Sequence, residues 1–284
     1  MKPDSDLCLR VATYLATAKG FGPLEDPFAA DDSNLTSGAP QGQKFVDLIA
    51  PTADGGRFAI EHTKIESYAG QLTDAEQMER LLKPLEHDLA GLLPTDRTYR
   101  LAAGPGAVAD KMLEPDFVRA ALTPWIIEKA PTLLAGTPAS APRHQVIGRQ
   151  GELPVEVTLS AWPPGDRGGA LLVLRSVPGD ADQMMDLRVA RMGKALSTKL
   201  PKLLEQAPAR TVLVLEDPDM ATSNISEVWI ALRRAAQGLQ LCDTIVVVET
   251  WLQEPSAVVV YDDGTWLEDF NQHRFALPPT SWRA

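Results

Sequence analysis

Thr211-Val212-Leu213-Val214-Leu215-Glu216 and Asp243-Thr244-Ile245-Val246-Val247-Val248-Glu249-Thr250 are two short runs of almost unbroken apolar residues, and the segment between them, Ser226 to Gln237, has helical spacing. A strand apolar on both faces has to be covered on both faces. Strand, helix and strand in that order predict a parallel βαβ unit inside a sheet flanked by helices. A further strand, Ala257 to Tyr261, runs into the turn Asp262-Asp263-Gly264.

Working outward, Asp180 to Leu200 reads as a helix that Pro201 breaks or kinks. At the other end of the chain, Leu7, Val11, Tyr14, Leu15 and Ala18 recur at helical spacing, which predicts a helix over Asp4–Lys19 stopped by Gly20 and Gly22. Phe21 to Gly42 reads as a long loop. Lys44–Ala50 and Arg57–Glu66 read as strands joined through Asp54-Gly55-Gly56, a hairpin with a loop longer than the tightest kind.

Thr73–Leu93 is expected to be helical with a kink at Pro84, Thr98–Ala103 a strand, and Asp116–Leu134 a helix interrupted near Pro124. His144–Gly148, Val155–Trp162 and Ala170–Val177 read as strands. Pro163-Pro164-Gly165-Asp166 suggests a second hairpin between the last two. The fold class expected is α/β with a mixed central sheet flanked by helices.

Composition narrows the class of protein. In 284 residues, 44% are hydrophobic and 23% charged, the balance of a chain that builds a core. No apolar run approaches the ~18 residues that a bilayer crossing needs, so no membrane partner is expected. The first residues do not read as a signal peptide. Cys8 and Cys242 stand in apolar surroundings, which suits a reduced cytoplasm, and the four histidines lack metal-site spacing. The net charge of −11 opposes indiscriminate adhesion to nucleic acid, so any phosphate-binding surface has to be local.

Chemistry concentrates in Phe45-Val46-Asp47 and Phe58-Ala59-Ile60-Glu61-His62-Thr63-Lys64. Alternation places Ala59, Glu61 and Thr63 on one strand face and Phe58, Ile60 and His62 on the other. An ionised Glu in an apolar strand is costly unless a cation or donors meet it. Hairpin pairing would bring Asp47 near Glu61, and two carboxylates are the hard oxygen ligands that Mg²⁺ or Mn²⁺ takes. The same residues also allow a structural reading, with Asp47 capping a turn and Glu61 paired with Arg57 or Lys64.

This arrangement of acid, hairpin and Glu-x-x resembles the PD-(D/E)XK superfamily of restriction-endonuclease-like nucleases, in particular divergent bacterial members with an IE-x-T strand. The resemblance implies Asp47 and Glu61 as metal ligands for Mg²⁺ or Mn²⁺, with catalysis by Asp47, Glu61, Thr63 and Lys64 on phosphodiesters of nucleic acid. Two departures stand out. Thr63 occupies the place of the family's usual Lys, and Lys64 belongs to the opposite face; no Pro precedes Asp47.

Arg188, Arg191, Lys199 and Lys202 fall on one arc of the Asp180 helix, beside an apolar arc of Val189, Met192, Leu196, Leu200 and Leu203. That cationic stripe is the expected phosphate contact, although such stripes are more often solvated faces. The resemblance covers a framework of residues 4–103 and 180–216, with 104–179 as an insertion and 217–284 as an extension of a single domain.

Two other readings accompany the nuclease. One is a non-catalytic protein of the same kind that binds nucleic acid or a protein partner. The other is a small-molecule enzyme using Glu216, Asp217, Asp219 and Glu249 at the carboxyl ends of apolar strands.

Overall fold

In the computed structural model, residues 3–28, 46–108, 110–134, 145–149, 151–164, 168–176, 181–206, 208–218, 224–251 and 254–278 are described. In chain order the elements are α1 (Pro3–Ala18), β1 (Leu48–Pro51), β2 (Arg57–Lys64), α2 (Gln71–Leu81), α3 (Leu85–Asp88), β3 (Thr98–Ala103) and α4 (Pro115–Lys129). There follow β4 (Gln145–Gly148), β5 (Val157–Trp162), β6 (Leu171–Arg175), α5 (Ala181–Leu204), β7 (Arg210–Asp217) and α6 (Ile225–Ala235). The chain closes with β8 (Thr244–Glu249), β9 (Ser256–Asp262), β10 (Thr265–Trp266) and β11 (Arg274–Ala276). The class is α/β: a mixed sheet of seven strands flanked by helices, and a second sheet of four.

The chain divides into two compact units. One takes the chain up to Ser67 and again from Met185, and the other is the stretch Tyr68–Met184. In the first unit the strands run β1-β2-β7-β8-β9, with β10 and β11 both pairing β9. β2, β7 and β8 are parallel neighbours, so the βαβ unit forms as expected, and β1 and β9 flank them antiparallel.

Alternation decides what each face of this sheet buries. Phe58, Ile60, Val212, Val214, Val246 and Val248 pack with Leu9, Val11 and Leu15 of α1. Ala59, Leu213, Leu215, Ile245 and Val247 pack with Met192, Leu196 and Leu200 of α5 and with Val228 and Leu232 of α6. Apolar residues on both sides of β7 and β8 are what a sheet covered twice demands.

The second unit packs α2, α3 and α4 onto the sheet β4-β5-β3-β6, with Leu81, Leu85, Tyr99, Leu101, Leu122, Ile126 and Leu159 in its core. Here two expectations are corrected. β3, assigned to the framework with the carboxylate hairpin, is instead a central strand of the second sheet. β5 and β6 form no hairpin, because β3 lies between them, antiparallel to β5 and parallel to β6. The chain entering β6 is zipped onto β3 by Gly169 N–H to Arg97 C=O at 2.7 Å and Tyr99 N–H to Ala170 C=O at 2.8 Å. The second unit thus starts at Tyr68, earlier than the insertion expected over 104–179, and β8 to β11 continue the sheet beyond β7.

Two prolines do not break their helices. α4 runs through Pro124 and α5 runs through Pro201 as far as Leu204. Both prolines are exposed, as are Ala120 and Ser197, whose carbonyls lose their helical partners. Solvent can reach these positions, which is the condition under which a helix tolerates proline. Pro84, by contrast, separates α2 from α3. The strand expected over Lys44–Ala50 begins only at Leu48, and Lys44 and Phe45 lie outside the described residues. Among the described residues no helix is long and apolar enough to cross a membrane.

Candidate functional site

β2 lies between β1 and β7, with Leu48 opposite Ile60 and Leu213 opposite Glu61. Glu61 is thereby held in the middle of the sheet, on the face that α5 covers, and is fully buried at 0% exposure. Asp47 stands one residue before β1. Its Oδ2 accepts the backbone N–H of His62 at 2.7 Å, which ties the carboxylate across the hairpin.

The burial cost of Glu61 is met by α5. Lys202 Nζ donates to Glu61 Oε1 at 3.1 Å, and Lys199 Nζ lies 2.6 Å from Oε2 and 3.6 Å from Asp47 Oδ2. One turn of helix separates the two lysines, so both reach the same strand face. Oε2 remains buried without a well-aligned hydrogen-bond donor despite the nearby ammonium. Burial pushes the Glu61 carboxyl above its usual value; Lys199 pulls against this and the Asp47 charge adds to it. Burial works against the Lys199 ammonium, and close contact with the Glu61 carboxylate together with the charges of Glu61 and Asp47 outweighs it, leaving that pKa raised.

The two carboxylates thus converge on one point, and the cation at that point is Lys199. This bears on the expected Mg²⁺ or Mn²⁺. Among the described residues no group of three or more His, Cys, Asp and Glu side chains converges as metal ligands. Mg²⁺ needs only one or two carboxylates when waters and substrate phosphate complete its shell. Asp47 and Glu61 fit that role: an ammonium already marks a cation position between them, and Glu61 Oε2 has spare acceptor capacity.

The remaining expected site residues separate. Thr63 shares the Glu61 face and is partly exposed. Lys64 points to the other side, 48% exposed and 3.8 Å from Glu216 Oε1, so it does not join Asp47 and Glu61. Arg188 is not a free phosphate contact: it is buried, its Nε donates to Ser67 Oγ at 3.0 Å, and it pairs with Glu227 at 2.5 Å. Arg191 pairs with Glu66. The four cations do share an arc of α5, but its two ends sit about 21 Å apart along the axis and face different partners.

The acids at the carboxyl ends of the parallel strands are also occupied. Glu216 accepts from Thr250 at 3.0 Å and lies 2.9 Å from His62 Nε2. Burial would raise its pKa, but His62 and Lys64 hold it below the usual value. Glu249 is paired with Arg274 and Ser256. Asp219 lies outside the described residues. An open acidic pocket of Glu216, Asp217 and Glu249 is not what these residues form.

Beside the carboxylate pair lies a cleft of roughly 180 Å³, floored by Ile65 and Met192 and lined by Thr63, Lys64, Arg191, Lys194, Thr198 and Lys199. Sequence reading missed Lys194 and Thr198. Their spacing from Arg191 and from each other, three and four residues, is the signal that would have found them.

No family model, curated protein or solved structure matches the chain. The likeness to restriction-endonuclease-like nucleases therefore rests on the chain's own residues, the hairpin and the helix and strand of residues 180–216.

Proposed function

We propose that the chain is a nuclease-like protein that hydrolyses phosphodiesters of nucleic acid at Asp47, Glu61 and Lys199. The observation that carries this reading is the convergence of two carboxylates from neighbouring strands on one lysine ammonium, at the edge of a cationic cleft. Thr63 stands where the resembled family has its lysine, and Lys199 brings an ammonium to the same strand face from α5 instead.

In this reading Asp47 and Glu61 hold Mg²⁺ or Mn²⁺, which when bound supplies a charge for the phosphoryl oxygen and lowers the pKa of a water. Lys199 leaves the carboxylates for the substrate phosphate, a move its long side chain makes by rotamer changes alone. Lys202 stays on Glu61 Oε1 and favours the ionised form of the buried carboxylate. The Asp47 carboxylate is held in position by the His62 peptide N–H, so its orientation does not depend on Lys199.

The test is incubation of end-labelled single- and double-stranded DNA and RNA with Mg²⁺ or Mn²⁺. The expected result is metal-dependent cleavage that Asp47→Asn and Glu61→Gln abolish while the variants keep the wild-type circular dichroism. Absence of cleavage on every substrate with either metal overturns the reading. Salt-sensitive binding under those conditions would select the non-catalytic nucleic-acid-binding protein.

A further inference from the structure

The charge of the cleft beside Lys199 is out of keeping with the rest of the chain. Lys64, Arg191, Lys194 and Lys199 line it in a protein whose net charge is −11; Lys64 lies 3.8 Å from Glu216, Arg191 pairs with Glu66 and Lys199 with Glu61, which leaves Lys194 as the cation for a ligand to meet first. Lys194 is exposed and, among the described residues, makes no ion pair. Hydroxyls of Thr63 and Thr198 also line it; the Thr198 hydroxyl donates to the Lys194 carbonyl at 2.8 Å and has to turn to reach a ligand. Ammonium and guanidinium groups with hydroxyls between them match the several acceptor oxygens of a phosphate.

Shape restricts which phosphate. At roughly 180 Å³ the cleft is below the ~300 Å³ at which pockets for whole drug-sized ligands begin, so it admits a charged group rather than a nucleoside. It is also blind at one end. Past Ile65, Glu66 and Met192 the free space shrinks to roughly 10 Å³ above Arg188, Val228 and Ala231. That is about one water. The Arg191–Glu66 pair and the Arg188–Glu227 pair close this end. A phosphodiester inside a strand must have chain leaving on both sides, and the constriction on this side leaves little room for that. A terminal phosphomonoester has chain on one side only, and its charge of about −1.5 to −2 attracts Lys194 and the neighbouring cations more strongly than the single charge of a diester.

We propose that this cleft is a binding site for a terminal phosphomonoester, the phosphorylated end of a nucleic-acid strand or of a mononucleotide. The proposal deepens the nuclease-like reading by naming the substrate end, but binding at the cleft does not require that the chain cleave anything.

The test is fluorescence anisotropy at low salt without divalent metal. The probes are one single-stranded oligonucleotide in three forms, with a 5′-phosphate, with a 3′-phosphate, or with hydroxyls at both ends, each labelled within the strand. Nucleoside monophosphates serve as competitors. The expected result is that one phosphorylated form binds about tenfold tighter than the hydroxyl form. Lys194→Glu should remove that preference, whereas the charge reversal Arg233→Glu, at a surface pair with Glu268 outside the cleft, should keep it. Competition by a monophosphate at similar concentration assigns the site to nucleotides; its failure assigns the site to strand ends.

Equal binding of all three forms overturns the proposal, as does a preference that survives Lys194→Glu in a folded variant. Because no metal is present, this outcome is separate from the cleavage test. A chain that fails to cleave and still prefers phosphorylated ends loses the nuclease reading alone, and one that cleaves without the preference loses the cleft alone.

Discussion

The ammonium of Lys199 lies 2.6 Å from Oε2 of Glu61, and Glu61 is fully buried while Lys199 is not. The two partners are therefore unequal. Removing Glu61 leaves lysines that can turn to water, whereas removing Lys199 leaves a carboxylate that cannot and that keeps only Lys202.

That inequality sets an order of stabilities. Lys199→Met should cost about 2 kcal/mol, less than stranding a buried charge outright, because Lys202 still donates to Glu61 Oε1. Glu61→Gln should cost about 1 kcal/mol, the scale of one net hydrogen bond. Urea denaturation of both variants at neutral pH checks the ranking, and an equal loss would show that Glu61 reaches water in solution.

Glu61 and Glu216 should have opposite pH signatures. The folded pKa of Glu61 is raised, so the native state holds its proton longer, and this residue's contribution falls as pH rises from 4.5 through the raised value. The folded pKa of Glu216 is lowered, so its contribution is present above 4.5 and lost as pH falls through the lowered value. Relative to wild type, Glu216→Gln should lose most stability at neutral pH and the least in acid. Glu61→Gln should improve relative to wild type as pH rises. Denaturation curves at a series of pH values measure both slopes.

Arg188 and Lys194 should separate folding from binding. Arg188 is tied to Ser67 and Glu227, so Arg188→Met should destabilise the fold by about 1–2 kcal/mol and leave the salt dependence of oligonucleotide binding unchanged. Lys194→Ala should be neutral for folding and lower the slope of log K against log salt by about 1. Titrations at three salt concentrations distinguish the two residues.

The turn between β9 and β10 gives a test of backbone conformation alone. Asp263 and Gly264, its two central residues, have φ of 45° and 86°, both in the left-handed region, which makes this a type I′ hairpin. No atom approaches the position of a Cβ at Gly264. Gly264→Ala should therefore cost about 1 kcal/mol through φ alone, read as a lower melting temperature with unchanged binding.

Periods of two and of 3.6 residues are local properties, and what they imply can be read without coordinates. They placed Glu61 with Ala59 and Thr63 on one face of β2, kept Lys64 off that face, and aligned Lys199 with Lys202 on α5. They also announced β7, α6 and β8 as a parallel unit, since strands apolar on both sides have to be covered twice. Nothing local says where a helix lands or which strand becomes a neighbour. The same arc of α5 meets the buried Glu61 at one end and Ser67, Glu66 and Glu227 at the other, so two of its four cations serve the carboxylate pair and two serve the fold. β3 separates β5 from β6 in a second sheet for a similar reason, because strand order follows from side chains far apart in sequence packing into one core. Burial along the chain determined the layers; packing between distant segments decided which charges face one another.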